Sequence, residues 1–205
     1  MRFRILFLLI GFIALLPSYS QNVEYESVEE LISDINSRKF EKPISYMRHY
    51  LANVENGTEV FQDTAYVGMT TLLVSSYVHN NQIHEADTLL AHVINFMGKA
   101  GKKSPLAYSL FIAKGGILSL LQKYDVASVY LKSALDMANE QEGKRENYSV
   151  ILSMLAVCHM NMEDLERAQK EIEESVAIID QSTSKFSVSN KIAIYQKAGA
   201  ISNEL

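Results

Sequence analysis

The amino-acid sequence predicts an all-α fold, a solenoid of antiparallel helix pairs, and three observations predict it. The first is the stretch Leu110 to Ala138, where two amphipathic patterns are joined by a polar turn. Phe111, Gly115 and Leu118 stand at i, i+4 and i+7 on one helix face, and Ala127, Leu131 and Ala134 repeat that spacing. Gln122, Lys123 and Asp125 make the turn between them. The second is a period. Ala86, Ala127 and Ala168 recur every 41 residues, each early in the second helix of a pair. Twelve residues before them stand Val74, Gly115 and Ala156; four after, Leu90, Leu131 and Ile172; seven after, Val93, Ala134 and Ser175. Small residues in fixed register are what a helical solenoid needs, because each pair buries its apolar face only on its neighbours. The third is composition: only three prolines in 205 residues and no run of alternating β-branched residues, which argues against sheet.

The elements follow in order. Ser27-Val28-Glu29-Glu30 has the form of a capping box, with Ser27 at the N-cap and Glu30 at the third helical position, and starts a helix that runs to about Lys39. Pro43 sits near the start of a second helix that ends by Asn56-Gly57. Helices over Gln62–Val78 and Ile83–Met97 flank the turn His79-Asn80-Asn81-Gln82, and Gly98 and Gly101 end the second of them. Ser104-Pro105 supplies an N-cap followed by proline at the first helical position. The central hairpin follows and stops near Glu140, before Gly143. The next pair covers Asn147–Met160 and Glu163–Asp180, and a last helix begins near Lys185. The repeats thus span about 27–57, 62–98, 104–140, 147–180 and, in part, 185–205. One period before the others, Ser33, Ser45 and Ala52 keep the first pair in the array.

Gly115 has a physical reading of its own. Glycine inside a helix costs about 1 kcal/mol relative to alanine, and a helix keeps it where another backbone must come close. Ala127 and Ala134 are the small residues expected opposite.

Residues 1–20 read as a cleavable export signal rather than as fold. Arg2 and Arg4 form a basic start, Ile5–Leu16 an apolar core, Pro17 a break, and Ser18 and Ser20 small residues before Gln21. Twelve apolar residues fall short of the roughly 20 that span a bilayer. No cysteine stands at the cut, so no lipoprotein anchor is expected. The repeat domain is then 21–205, without a membrane span, and the location is periplasmic or secreted. Removing two arginines takes the formal charge from −5 to −7. That acidity gives no basic footprint for nucleic acid. Cys158, the only cysteine, lies among Leu155, Ala156 and Val157 and reads as buried packing. Asn56-Gly57-Thr58 and Asn147-Tyr148-Ser149 match the glycosylation sequon, which has meaning only in a eukaryotic source.

At the repeat positions the chain resembles the tetratricopeptide repeat (TPR) family. That motif has a small residue in the first helix, an aromatic three residues later and alanines in the second. Gly115, Ala127 and Ala134 carry the resemblance best; Tyr77 and Ala86, then Ala156 and Ala168, carry it in the flanking hairpins. Val74 departs from it at the small position, Leu118 and His159 at the aromatic one, and Ser175 at an alanine. The period of 41 exceeds the family's, which is about 34. HEAT-type pairs have periods near 41 and are the alternative. The resemblance implies a right-handed α-α superhelix in which the first helices line the concave side. By register the positions facing it are Thr71, Ser75 and Val78, then Ile112, Gly116 and Ser119, then Ser153, Val157 and Met160. None is charged. Such a groove suits an apolar or amphipathic segment of another protein, unless superhelical closure buries it.

No catalytic constellation is visible. His49, His79, His84, His92 and His159 show no metal-binding spacing, although His79 and His84 flank one turn. There is no GxSxG and no phosphate loop. Glu163, Asp164, Glu166, Glu171, Glu173 and Glu174, with Arg167 and Lys170 among them, read as a solvated helix face. No catalytic residue, cofactor or metal is therefore expected. The leading expectation is an exported, non-enzymatic scaffold that binds another protein. The alternative is the sensory input portion of a larger membrane-bound regulator. Finally, Val188, Ile192, Ile194, Tyr195, Ala198 and Ile201 give the last helix an apolar set that needs a partner. One period past Ala156 falls on Lys197, a poor match beside the small Ala198 and Gly199.

Overall fold

A computed structural model describes residues 25–99, 101, 106–139, 145–181 and 188–203. The described residues form helices and turns, with no strand among them. The expected export signal, the Ser104-Pro105 start and the loop 182–187 lie outside the described residues. By its contacts the chain divides into two compact units that meet in sequence at Ala113 and Lys114.

The first unit contains α1 (Val28–Asn36), α2 (Glu41–Glu55), α3 (Asp63–His79), α4 (Ile83–Lys99) and the start of α5 (Ala107–Leu120). Ser27 is the N-cap of α1 and its hydroxyl accepts from the Glu30 amide at 3.2 Å. The Glu30 carboxylate in turn accepts from the Glu26 amide, one residue before the cap. Pro43 falls within the first turn of α2, where its missing N–H costs little. Helix α3 packs between α2 and α4. The tie among the three is Tyr66, wholly buried. Its hydroxyl donates to Glu55 Oε1 at 2.7 Å, and Glu55 Oε2 stands 2.8 Å from His92 Nε2. The Tyr66 ring lies 5.2 Å from Phe61 and 5.7 Å from Phe96, so an apolar layer surrounds one polar bond.

The second unit contains the rest of α5, then α6 (Tyr124–Asn139), α7 (Arg145–Asn161), α8 (Leu165–Gln181) and α9 (Val188–Ser202). Gly115 marks a close approach, as its place in the sequence implies. A Cβ there would lie 2.5 Å from Leu131 Cγ and 3.3 Å from the Ala127 carbonyl oxygen. The space left by the missing side chain is therefore taken by a leucine, with backbone just behind it. Ala127, Leu131 and Ala134 are fully buried. Between α7 and α8 the close contact is polar. The Ser149 hydroxyl donates to the Ser175 carbonyl at 2.9 Å and the Ser175 hydroxyl to the Ser149 carbonyl at 2.8 Å, both out of solvent. Ser175, the departure from alanine, is thus satisfied by a second serine. Helix α9 adds Ile194 and Ile201 to a core with Ala156, Ala168, Ile172 and Ile179.

Each turn inside a hairpin has the same construction. Asn81, Gln122 and Glu163 have φ of 60°, 59° and 62°, and Arg38 has 61°. In each, the left-handed residue donates three residues back and its successor five back. Gln122 reaches Ser119 at 3.0 Å and Lys123 reaches Leu118 at 2.9 Å, while Glu163 reaches Met160 at 3.1 Å and Asp164 reaches His159 at 2.9 Å. This is the paired bond pattern of a Schellman stop, which usually employs glycine at the left-handed position. None of these four residues is glycine, so each turn carries strain of about 1 kcal/mol.

Candidate protein-interaction surface

The nine positions assigned to the concave side fall on three first helices and differ in how they are held. On α3, Thr71, Ser75 and Val78 are half-buried. The Thr71 hydroxyl is tied to the Gly68 carbonyl at 2.8 Å. His79 donates from Nδ1 to the Ser75 carbonyl at 2.7 Å and its ring stacks on Phe40. His79 is thereby committed to its own turn rather than to His84. Among the described residues, no group of three potential ligands is placed to hold a metal ion.

On α5, Ile112 is buried, whereas Gly116 and Ser119 are half-buried. A Cβ on Gly116 would meet only the Met154 methyl, at 3.3 Å. The Ser119 hydroxyl donates to the Gly115 carbonyl at 2.9 Å and lies 3.4 Å from Cys158 Sγ. Cys158 is fully buried, as its neighbours in sequence imply, and burial pushes its thiol above the ordinary value.

On α7, Val157 and Met160 are half-buried, and Met160 packs on the α7–α9 core. Ser153 is not open. It is fully buried, its hydroxyl donates to the Val150 carbonyl, and Lys197 of α9 donates to it at 3.1 Å. The row is uncharged in its own residues, but α9 brings a cation onto it. Loss of solvent lowers the Lys197 ammonium from 10.5 to about 8, with the Cys158 side chain opposing that shift.

The sequence reading missed a buried histidine–carboxylate contact. His159 Nδ1 lies 2.6 Å from Glu171 Oε2, and His159 is only 2% exposed. Desolvation raises the Glu171 carboxyl above its ordinary range, against the pull of His159, Lys132 and Arg167. Glu171 therefore leaves the solvated face it was grouped with, while Glu163, Glu166, Glu173 and Glu174 stand exposed. A usable signal existed. Glu171 follows His159 by twelve residues, the offset that places Ala127 against Gly115.

No described helix is long and apolar enough to cross a membrane. No protein-family model matches the chain, and no curated protein matches it. Solved structures do. BtubC (BKLC) from P. vanneervenii is similar at 21% identity and a TM-score of 0.67, over 86% of this chain and 77% of that one. The TPR-like repeats of a putative kinesin light chain from Podosopora anserina are similar in one structure at 14% identity and a TM-score of 0.66, over 85% and 82%. A second structure of those repeats gives 13% identity and a TM-score of 0.64 over 85% and 83%. At such identities the likeness speaks to architecture alone, and what it shows is that this chain has an all-α, TPR-like helical repeat fold.

Proposed function

We propose that the protein is an exported, non-enzymatic scaffold that binds another protein through the first-helix row. A TPR-like fold is consistent with a protein-interaction scaffold. The observation that carries the finer reading is the chemistry of the row. At matching register, Thr71, Ser75 and Val78 on α3, Gly116 and Ser119 on α5, and Val157 and Met160 on α7 are small or apolar, uncharged and partly open. Their hydroxyls are already bonded to their own helices, as Thr71 and Ser119 show. The row thus offers apolar contact and shape rather than free donors, which suits an apolar or amphipathic segment. Export rests on the basic start, apolar core and small-residue exit of residues 1–20.

Site-specific photo-crosslinking in the source cell tests both parts. A crosslinker at Ser119 or Val157 is expected to trap the same protein, outside the cytoplasm, and Gly116→Arg is expected to cut that yield about tenfold or more. Adducts with no specific protein, or yields untouched by the arginine, overturn the groove. An unprocessed cytoplasmic chain overturns export.

A further inference from the structure

We infer that the loop joining α2 to α3, residues 56–62, is a latch worked by pH: it closes on α2 with the Glu59 side chain protonated and lets go when that side chain ionises. The inference concerns the first unit alone and rests on neither the first-helix row nor export.

The first observation is an orphaned atom. Glu59 Oε2 is shut off from solvent and has no hydrogen-bond partner; among the described residues no other buried side-chain oxygen or nitrogen is left so. Buried polar atoms in folded chains are almost always bonded. A carboxylate held in this way keeps its charge out of water with nothing to offset it, whereas a neutral carboxyl loses far less. The proton is therefore what makes the closed position tolerable.

The titratable groups that act on Glu59 all belong to α2. Tyr46 and Tyr50 stand one turn apart and are buried. Burial, and after it the Glu59 charge, raises both phenols, Tyr50 to about 12, so neither is charged near neutrality. His49, exposed on the same helix, is the one group that favours the carboxylate. Loss of solvent outweighs it and sets the Glu59 carboxyl above its ordinary range. Among the described residues, neither α3 nor α4 adds a charge that shifts it.

The second observation is how the loop is fastened. The Thr58 and Glu59 amides and the Thr58 hydroxyl all donate to one carbonyl, that of Asn53, at 2.9, 3.1 and 2.9 Å. On the far side the Phe61 ring lies 5.2 Å from Tyr66. Between these anchors Glu59 turns inward and Val60 turns out. At 79% exposure Val60 is the most open large apolar side chain among the described residues. The two neighbours are thus arranged against their own chemistry, the ionisable one inside and the apolar one in water. Gly57, at φ 75° and with open space around it, provides a pivot.

The sign follows from the raised carboxyl. The closed loop binds the Glu59 proton more tightly than the open loop, where the side chain is in water. Closure is fully supported below the ordinary value of 4.5 and loses that support as pH rises through the raised one.

The test is amide hydrogen exchange on the full chain, read by NMR at Thr58 and Glu59 and expressed as protection relative to an unfolded peptide. Between about pH 5 and pH 7.5, protection of both amides is expected to fall about tenfold or more in the parent protein. It is expected to stay level in Glu59→Gln, which has the shape of the acid without its charge. The amides of Asn80 and Gln82, which donate to Ser76 and Tyr77 in the α3–α4 turn, are expected to stay level in both proteins. His49→Gln removes the one opposing charge and is expected to move the midpoint of the fall to higher pH. Level protection in the parent, an equal fall in Glu59→Gln, a fall shared by Asn80 and Gln82, or a midpoint that moves down in His49→Gln overturns the inference.

Discussion

The α5–α6 and α7–α8 hairpins share a register and differ in what fills it. In the first, Gly115 receives Leu131, and Leu118 and Tyr130 occupy the pair of positions one turn further along. In the second, Ala156 and Ala168 keep the small contact, while His159 and Glu171 stand where Leu118 and Tyr130 stood. Ser149 and Ser175 close the same interface by exchanging hydrogen bonds. One backbone geometry thus accommodates a dry, shape-fitted contact and a hydrogen-bonded one. The period fixes where the helices meet, and the side chains determine how much each meeting contributes and at what pH.

The largest effect should come from the dry contact. Leu131→Ala is expected to cost about 3–4 kcal/mol, because Gly115 offers no atoms to fill the void. Gly115→Ala is expected to cost about 1–3 kcal/mol, since its Cβ would strike Leu131. Denaturant melts of both variants and of the double variant complete the test. The double variant should be more stable than the sum of the two losses by about 1 kcal/mol or more. Strict additivity would show that the two residues do not share the space.

Breaking the polar contact comes next. His159→Leu leaves the half-buried Glu171 carboxylate without its partner and is expected to cost about 2–3 kcal/mol. Transplanting the pair from the neighbouring hairpin, His159→Leu with Glu171→Tyr, should recover most of that loss. If the double variant melts no higher than the single one, the two hairpins are not interchangeable at this position.

A smaller effect is expected at the turns, and in the opposite direction. Gln122→Gly and Glu163→Gly should each stabilise by about 0.5–1 kcal/mol by relieving a left-handed residue. A fall in Tm for either would show that the side chain holds the turn by contacts that outweigh the strain.

The last effect is a slope with pH. Lys197 titrates at about 8 in the folded chain against 10.5 when free of it. Between those values the unfolded chain holds a proton that the folded chain has released, so this group makes stability rise with pH from 8 towards 10.5. Below pH 8 its cost is present in full. Lys197→Met should therefore raise Tm at about pH 7 and flatten the limb between about pH 8 and 10 relative to the parent chain. An unchanged limb would place the ammonium in water.

Much of the fold was legible in the sequence because a solenoid writes each contact several times. The alanines at 86, 127 and 168 set the period, and helix ends read from caps and glycines fell within a few residues of those observed. The left-handed turn residues were harder to see. Asn81 suggests a turn, but Gln122 and Glu163 do not by residue type; only their spacing of 41 marks them. For the candidate surface, register placed Thr71, Ser75, Gly116 and Val157 on first helices but could not say which members a neighbour would cover. Ser153 is covered by Lys197 because α9 sits on α7, a long-range contact that the period alone does not give. Likewise, the carboxylates of α8 looked alike in sequence, and only packing separates the half-buried Glu171 from the exposed Glu173.

The single thiol of this chain has a practical consequence. Cys158 is fully buried and lies beside the Ser119 hydroxyl. An aromatic disulfide reagent in solution can reach its sulfur only through an excursion that parts α7 from its neighbours. When such excursions close faster than the reagent reacts, the labelling rate is proportional to the open fraction, and its logarithm measures the free energy of local opening. The protein thus carries its own clock for the breathing of its C-terminal half, which needs no mutation to install and no second thiol to mask.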